Sequence, residues 1–172
     1  VTSTFKELLT TYNPDNSKRL LSRVTNVNLA IKANTPSVSA ISRAFGDLKA
    51  EAMIKLWLIN LNAVTSVNSP LSELQINEIA FYIVSDYRNL TIADLHVIFT
   101  NAKKGKYGSF YENLSLDKVM SWVNEYNLER EQAYANNSYQ QHMQQKESGS
   151  EPRNSETTVK GLMDEIKRNE KK

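Results

Sequence analysis

Apolar residues recur along this chain at three- and four-residue steps, the period of an α-helix with one buried face. The clearest case is Ile76, Ile79, Ala80, Ile83, Val84 and Tyr87, one stripe of a helix opened by the turn Asn68-Ser69-Pro70. Residues 3–12 predict a short helix that stops at Asn13-Pro14-Asp15-Asn16. Residues 17–32 predict a second, with Leu20, Leu21, Val24, Val27 and Ile31 at helical steps. Thr35 is then a candidate N-cap, with Pro36 at the first helical position. A single long helix is expected over residues 38–64, burying Ile41, Phe45, Leu48, Ala52, Leu56 and Ile59. Near residues 57–59 its apolar character spreads round the helix, which places that part mid-core.

Two further helices are signalled by their caps. Thr91 precedes Asp94 by three positions, a capping-box pattern with Asp in place of the usual Glu. That helix should bury Leu95, Ile98 and Phe99 and end in NAKKGKYGSFYENLS, residues 101–115. Ser115 should cap the last one, with Leu116, Val119, Met120 and Val123 facing inward. Beyond residue 130 the apolar stripe fades while helix-compatible residues continue. The expectation is therefore all-α: a compact bundle of about five or six helices over residues 1–130, then a solvated helical extension over 131–145. Residues 146–157 have Pro152 as their one apolar residue and should form a flexible linker. Residues 158–172 regain an apolar face through Val159, Leu162, Met163 and Ile166. Such a short helix with Gly161 inside is marginal alone. It is either a frayed tail or a peptide that folds in a partner's groove.

Composition narrows the function more by exclusion than by indication. Five glycines and four prolines in 172 residues suit few, long elements. With no cysteine, disulfides and thiolate metal sites are excluded. The first residues lack the pattern of a secretory signal, and the run at residues 53–64 is too short and too polar to span a bilayer. A soluble, intracellular protein with no membrane partner is expected. His96 and His142 have no partner at metal or catalytic spacing; His96 should be semi-exposed or locally hydrogen-bonded, and His142 exposed. Gly105-Lys106 is not a P-loop, because no glycine stands five positions earlier, Tyr107 follows the lysine, and a helix precedes it. No catalytic residue, metal site or cofactor is expected, and an enzyme is disfavoured.

A net charge of +2 is too small to mark the whole chain as a nucleic-acid binder, but the charge is uneven. Residues 1–60 hold eight Lys/Arg against four Asp/Glu. Residues 70–145 hold six against nine, and Lys103, Lys104 and Lys106 make up half of those six. The stretch 101–115 has two readings. In one, Tyr107, Phe110 and Tyr111 cover the end of the core, Gly105 and Gly108 turn the chain, and Lys103 and Lys104 complement a helix C-terminus. In the other, the lysines meet phosphates and an exposed ring stacks on a base. Lys18, Arg19 and Arg23 form a second basic cluster, whose distance from the first the sequence leaves open.

The run LTIADLHVIFTNAKKGKYGSFYENLSLDKVMSWVNEY, residues 90–126, resembles a family of small uncharacterised proteins from phages and mobile elements of gut Bacteroidetes. Their pattern is a capped IAD helix, a K-x-G-x-Y-G-x-F-Y corner and an aromatic near SW. Ile92, Ala93, Asp94, Lys104, Lys106, Tyr107, Gly108, Phe110, Tyr111, Ser121 and Trp122 carry it here, with Gly105 one position earlier than the strict spacing. The resemblance implies a mobile-element setting, the cytoplasm of a bacterial host, and a role near DNA replication. The expected function is a non-enzymatic accessory or adaptor protein resembling a helicase loader. It would contact single-stranded or duplex DNA through Lys103, Lys104, Lys106 and Tyr107, with Lys18, Arg19 and Arg23. A protein partner would take Val159, Leu162, Met163 and Ile166. The alternative is a structural or protein-interaction phage protein, virion-associated or host-directed, that binds no nucleic acid.

Overall fold

The computed structural model describes residues 4–109 and 112–149. These fold into eight helices: α1 Phe5–Tyr12, α2 Pro14–Leu20, α3 Val27–Lys32, α4 Val38–Phe45, α5 Asp47–Thr65, α6 Glu73–Asp86, α7 Ile92–Lys103 and α8 Leu116–Gly149. The all-α expectation holds, with more and shorter helices than the periodicity implied. None of the described helices is long and apolar enough to cross a membrane.

Polar side chains set most of the helix starts. Thr4 with Glu7, Ser72 with Gln75, and Thr91 with Asp94 form capping boxes on α1, α6 and α7. Asn13, Asn26 and Ser37 accept from the third residue of α2, α3 and α4. Each such cap stabilises its helix by about 1 kcal/mol. Thr35 does not cap α4. Ser37 does, while the Thr35 hydroxyl accepts from the Ala93 N–H at 3.1 Å and ties the loop before α4 to the start of α7.

Both long predicted helices are broken, each for a local reason. The segment 17–32 stops at Leu20 and restarts after Asn26, whose side chain caps the Leu29 N–H. The segment 38–64 breaks at Gly46, whose φ of +92° lies where side-chain-bearing residues are strained. That break rotates the register of α5 relative to α4. Leu48 is 81% exposed, and Leu56 and Ile59 also face solvent. The buried face of α5 is instead Ala50, Met53, Ile54, Trp57, Leu58 and Leu61.

Helix α5 packs on α4, α6 and α7, and α7 packs on α2 and α3 as well. Every residue of α7 from Ile92 to Phe99 is buried, and so is Ala102. This is the central helix, which explains why its apolar residues outnumber a single stripe. His96 is only 6% exposed and hydrogen-bonds with the Leu21 backbone, so of its two expected settings it takes the hydrogen-bonded one, in the interior.

A buried polar lock joins α7 to α8. Asp94, fully buried, accepts from the Thr91 N–H at 2.8 Å and the Thr91 hydroxyl at 2.9 Å. It also accepts from Arg130 Nε at 3.0 Å and from the Tyr126 hydroxyl at 2.6 Å. Burial first, and then the Asp94 charge, push the Tyr126 phenol far above its ordinary range, so it stays a donor. One carboxylate therefore caps α7 and anchors α8 to its N-terminal end.

Among the described residues, those up to Ala133 form one compact unit and those from Tyr134 belong to a second. The expected extension over 131–145 lies within α8, and its side chains from Tyr134 to Gln145 are exposed except the half-buried Asn137. Helix α8 runs on to Gly149. The remaining expected linker and the peptide bearing Val159, Leu162, Met163 and Ile166 lie outside the described residues.

Candidate nucleic-acid interface

The lysine corner begins where α7 ends. Lys104 closes the helix, and Gly105, at φ +79°, turns the chain out of it. The returning limb of the corner is pinned from outside. Ser69 donates to the Glu112 carbonyl at 3.2 Å and accepts from the Leu114 N–H at 2.9 Å. The loop carrying Ser69 is held in turn by Asn62 of α5, which bonds both the N–H and the carbonyl of Leu71.

The corner divides its residues between two sides. Tyr107 is half-buried and stacks on Trp122 of α8, ring centroids 6.0 Å apart and planes 17° from parallel. Burial pushes its phenol up to about 12, with the Asn101 side chain countering part of that shift. Lys106 lies 5.7 Å from the Tyr107 ring centroid and pairs with Glu129 at 3.0 Å. Lys106 and Tyr107 thus help join the corner to α8. Phe110 and Tyr111 lie outside the described residues.

Lys103 and Lys104 face the other way, toward α2 and α5. They line a cavity of about 390 Å³ together with Lys18 and Asp15 of α2, while Trp57 and His96 contribute from α5 and α7. Lys18 and Asp15 also border the neighbouring hollow that contains Arg19. Lys103, Lys104 and Val64 also border a groove of about 590 Å³ that reaches Gly105, Gly108 and Ser109. The three hollows adjoin through shared lining residues, and together they form a furrow. It joins the two basic clusters whose separation was open at the level of sequence. Arg23 is exposed but lines none of the three.

Charge in the furrow is concentrated and only partly compensated. Lys103 donates to the neutral Asn60 Oδ1 at 2.8 Å. Burial first, then the nearby Lys18 ammonium, lower the Lys103 pKa, and Asp15 offsets part of this. Burial also lowers the His96 pKa below 6.5, with Lys103 and Lys104 adding to the effect and a hydrogen bond with the Leu21 backbone opposing it. His96 is therefore neutral at pH 7, wedged edge-on against Trp57 with ring centroids 6.3 Å apart. Trp57 is 3% exposed, and its indole N–H is buried with no hydrogen-bond partner.

No family model, curated protein or solved structure matches the chain.

The furrow's chemistry comes from its own residues. Ammonium groups of α2 and α7 surround a hollow whose walls supply neutral donors and one carboxylate, an arrangement suited to anions. No cluster of three or more potential metal ligands occurs among the described residues. Trp57 and Asn60 carry no signal in the sequence, because each has an ordinary place on an amphipathic helix. A signal for His96 was present: it stands inside a run that is apolar all round, where a polar side chain must find a partner.

Proposed function

We propose that this chain is a non-enzymatic accessory protein of a phage or mobile element that contacts nucleic acid along the furrow of Lys18, Arg19, Lys103 and Lys104. The observation that carries this reading is the convergence of Lys18 from α2 with Lys103 and Lys104 from the end of α7 on one cavity, with Arg19 in the hollow beside it. A phosphate backbone laid along it would meet one cation after another, with affinity that falls as salt rises. Lys106 is already paired with Glu129, so it contributes less than its position in the cluster suggests. The resemblance over residues 90–126 supplies the mobile-element setting and the link to replication. An adaptor of the helicase-loader kind fits a division of labour in which the peptide at 158–172 takes a protein partner.

The test is a titration of labelled single-stranded and duplex DNA at two salt concentrations. Substituting Lys18, Arg19, Lys103 and Lys104 with Ala should weaken binding and flatten its salt dependence, by about one unit of log–log slope for each phosphate no longer neutralised. Lys106→Ala should do little. Binding that is absent, or indifferent to the four substitutions, refutes the reading. That result would favour the second one, a protein-interaction component, which draws on the exposed apolar side chains Leu74, Phe81 and Tyr82 of α6.

A further inference from the structure

We propose that the cavity between α2, α5 and α7 binds a phosphate monoester, with Lys18, Lys103 and Lys104 meeting its oxygens beside the Trp57 ring. The proposal shares its lysines with the nucleic-acid reading but stands or falls separately from it.

Four observations lead there. The first is the indole. Trp57 lines the cavity, is 3% exposed, and has a buried N–H without a hydrogen-bond partner. Buried donors are nearly always satisfied, and here the unsatisfied one belongs to a side chain that walls the cavity. Trp57 is otherwise well held, stacked on Phe99 with centroids 6.1 Å apart, so its orientation is set before any ligand arrives.

The second is charge. Lys18, Lys103 and Lys104 against Asp15 leave two net positive charges around the cavity, with His96 neutral at pH 7. A phosphate monoester carries about −1.5 to −2 at that pH, close to full compensation. A carboxylate brings a single charge and leaves the lysines in mutual repulsion. That repulsion is already present, since Lys18 acts on Lys103 to lower its pKa.

The third is geometry of donors. The Lys103 ammonium spends one N–H on Asn60 Oδ1, at 2.8 Å, which fixes its position. Its two other protons remain for a ligand. Thr100 and Ser22 add hydroxyls to the same walls. The fourth is size. About 390 Å³ is room for a phosphate together with the group that bears it, within the range of small-molecule sites.

The same phosphate group occurs on a free mononucleotide and at the end of a phosphorylated strand, so the experiment separates them. The probes are adenosine 5′-monophosphate, adenosine, and one oligothymidylate made with a 5′ phosphate and with a 5′ hydroxyl. The readout is the ¹⁵N–¹H indole resonance of Trp57, assigned against Trp122 by its loss in Trp57→Phe, and the His96 imidazole titration. The expected result is a saturable shift of the Trp57 indole and a rise in the His96 pKa with phosphate-bearing probes. Adenosine and the 5′-hydroxyl strand should leave both signals unchanged. Response to the nucleotide identifies a free ligand, and response to the phosphorylated strand alone identifies a strand terminus; either supports the site. Trp57→Phe serves to assign the resonance, while Lys103→Ala/Lys104→Ala removes two of the three ammonium groups and should weaken phosphate binding about tenfold or more. No shift with any phosphate probe, an equal shift with adenosine, or unchanged affinity in the lysine variant overturns the proposal. If the 5′-hydroxyl strand binds in a lysine-dependent way while phosphate has no effect, the nucleic-acid reading survives and this one does not. Phosphate binding without strand binding gives the reverse.

Discussion

Replacing Asp94 with Ala should be among the most damaging single changes in the bundle. Its carboxylate is fully buried and accepts four hydrogen bonds, two from Thr91 and one each from Arg130 and Tyr126. Losing the capping box costs about 1 kcal/mol. Removing the carboxylate also strips the guanidinium of Arg130, 6% exposed, of its buried counter-charge, and breaking such a pair from one side costs about 3–5 kcal/mol. The two losses share atoms and are not additive, so about 4 kcal/mol is expected, a large share of the ~5–15 kcal/mol that holds a typical domain folded. In urea, with a slope of about 1–3 kcal/mol per molar, the unfolding midpoint should fall by roughly 2 M. A control separates the stranded charge from the lost cap. Asp94→Leu with Arg130→Met and Tyr126→Phe removes the carboxylate together with its two partners on α8, leaving only the Thr91 donors without an acceptor, and should recover much of the loss. A loss below about 1 kcal/mol for Asp94→Ala, at unchanged slope, would refute the lock.

Other consequences are smaller. His96 has a folded pKa below its ordinary 6.5, so stability should be full above 6.5, decline as pH falls from there to the folded value, and level off below it. In His96→Gln that decline should vanish from urea melts taken across the range, and in Lys103→Ala/Lys104→Ala the folded pKa should rise by NMR titration, because both ammonium groups depress it. Glu129→Gln breaks a pair whose side chains are 39–44% exposed, and should cost under about 1 kcal/mol in the same urea assay, in contrast with Asp94. Gly105→Ala should cost about 1 kcal/mol by thermal melt even though a Cβ there meets nothing within 4 Å, since the strain comes from φ +79° alone.

The caps explain why so much of the helix pattern was legible from residues alone. Thr91 with Asp94 is a local signal, complete within four residues, and it marked the start of α7 correctly. The stripe from Ile76 to Val84 is likewise local and is buried as its spacing implies. Periodicity fails where one residue resets the phase. Gly46 does this between α4 and α5, and the stripe extrapolated across it put Leu48, Leu56 and Ile59 on the wrong face. It also fails where a helix is surrounded, because α7 has no polar face to set the phase of its burial.

The sequence by itself therefore determined the all-α class, the start of α7, the buried stripe of α6, and two basic clusters without an address. Tertiary structure alone decided that Lys18 and Lys103 face one cavity while Lys106 turns to Glu129. It also decided that Asp94, readable as a cap, reaches Arg130 on a different helix. The reason is physical: capping and periodicity act within a few residues along one helix. Which side chains meet across helices depends on how whole buried faces pack, and α2, α5 and α7 bring their residues together only once that packing is complete.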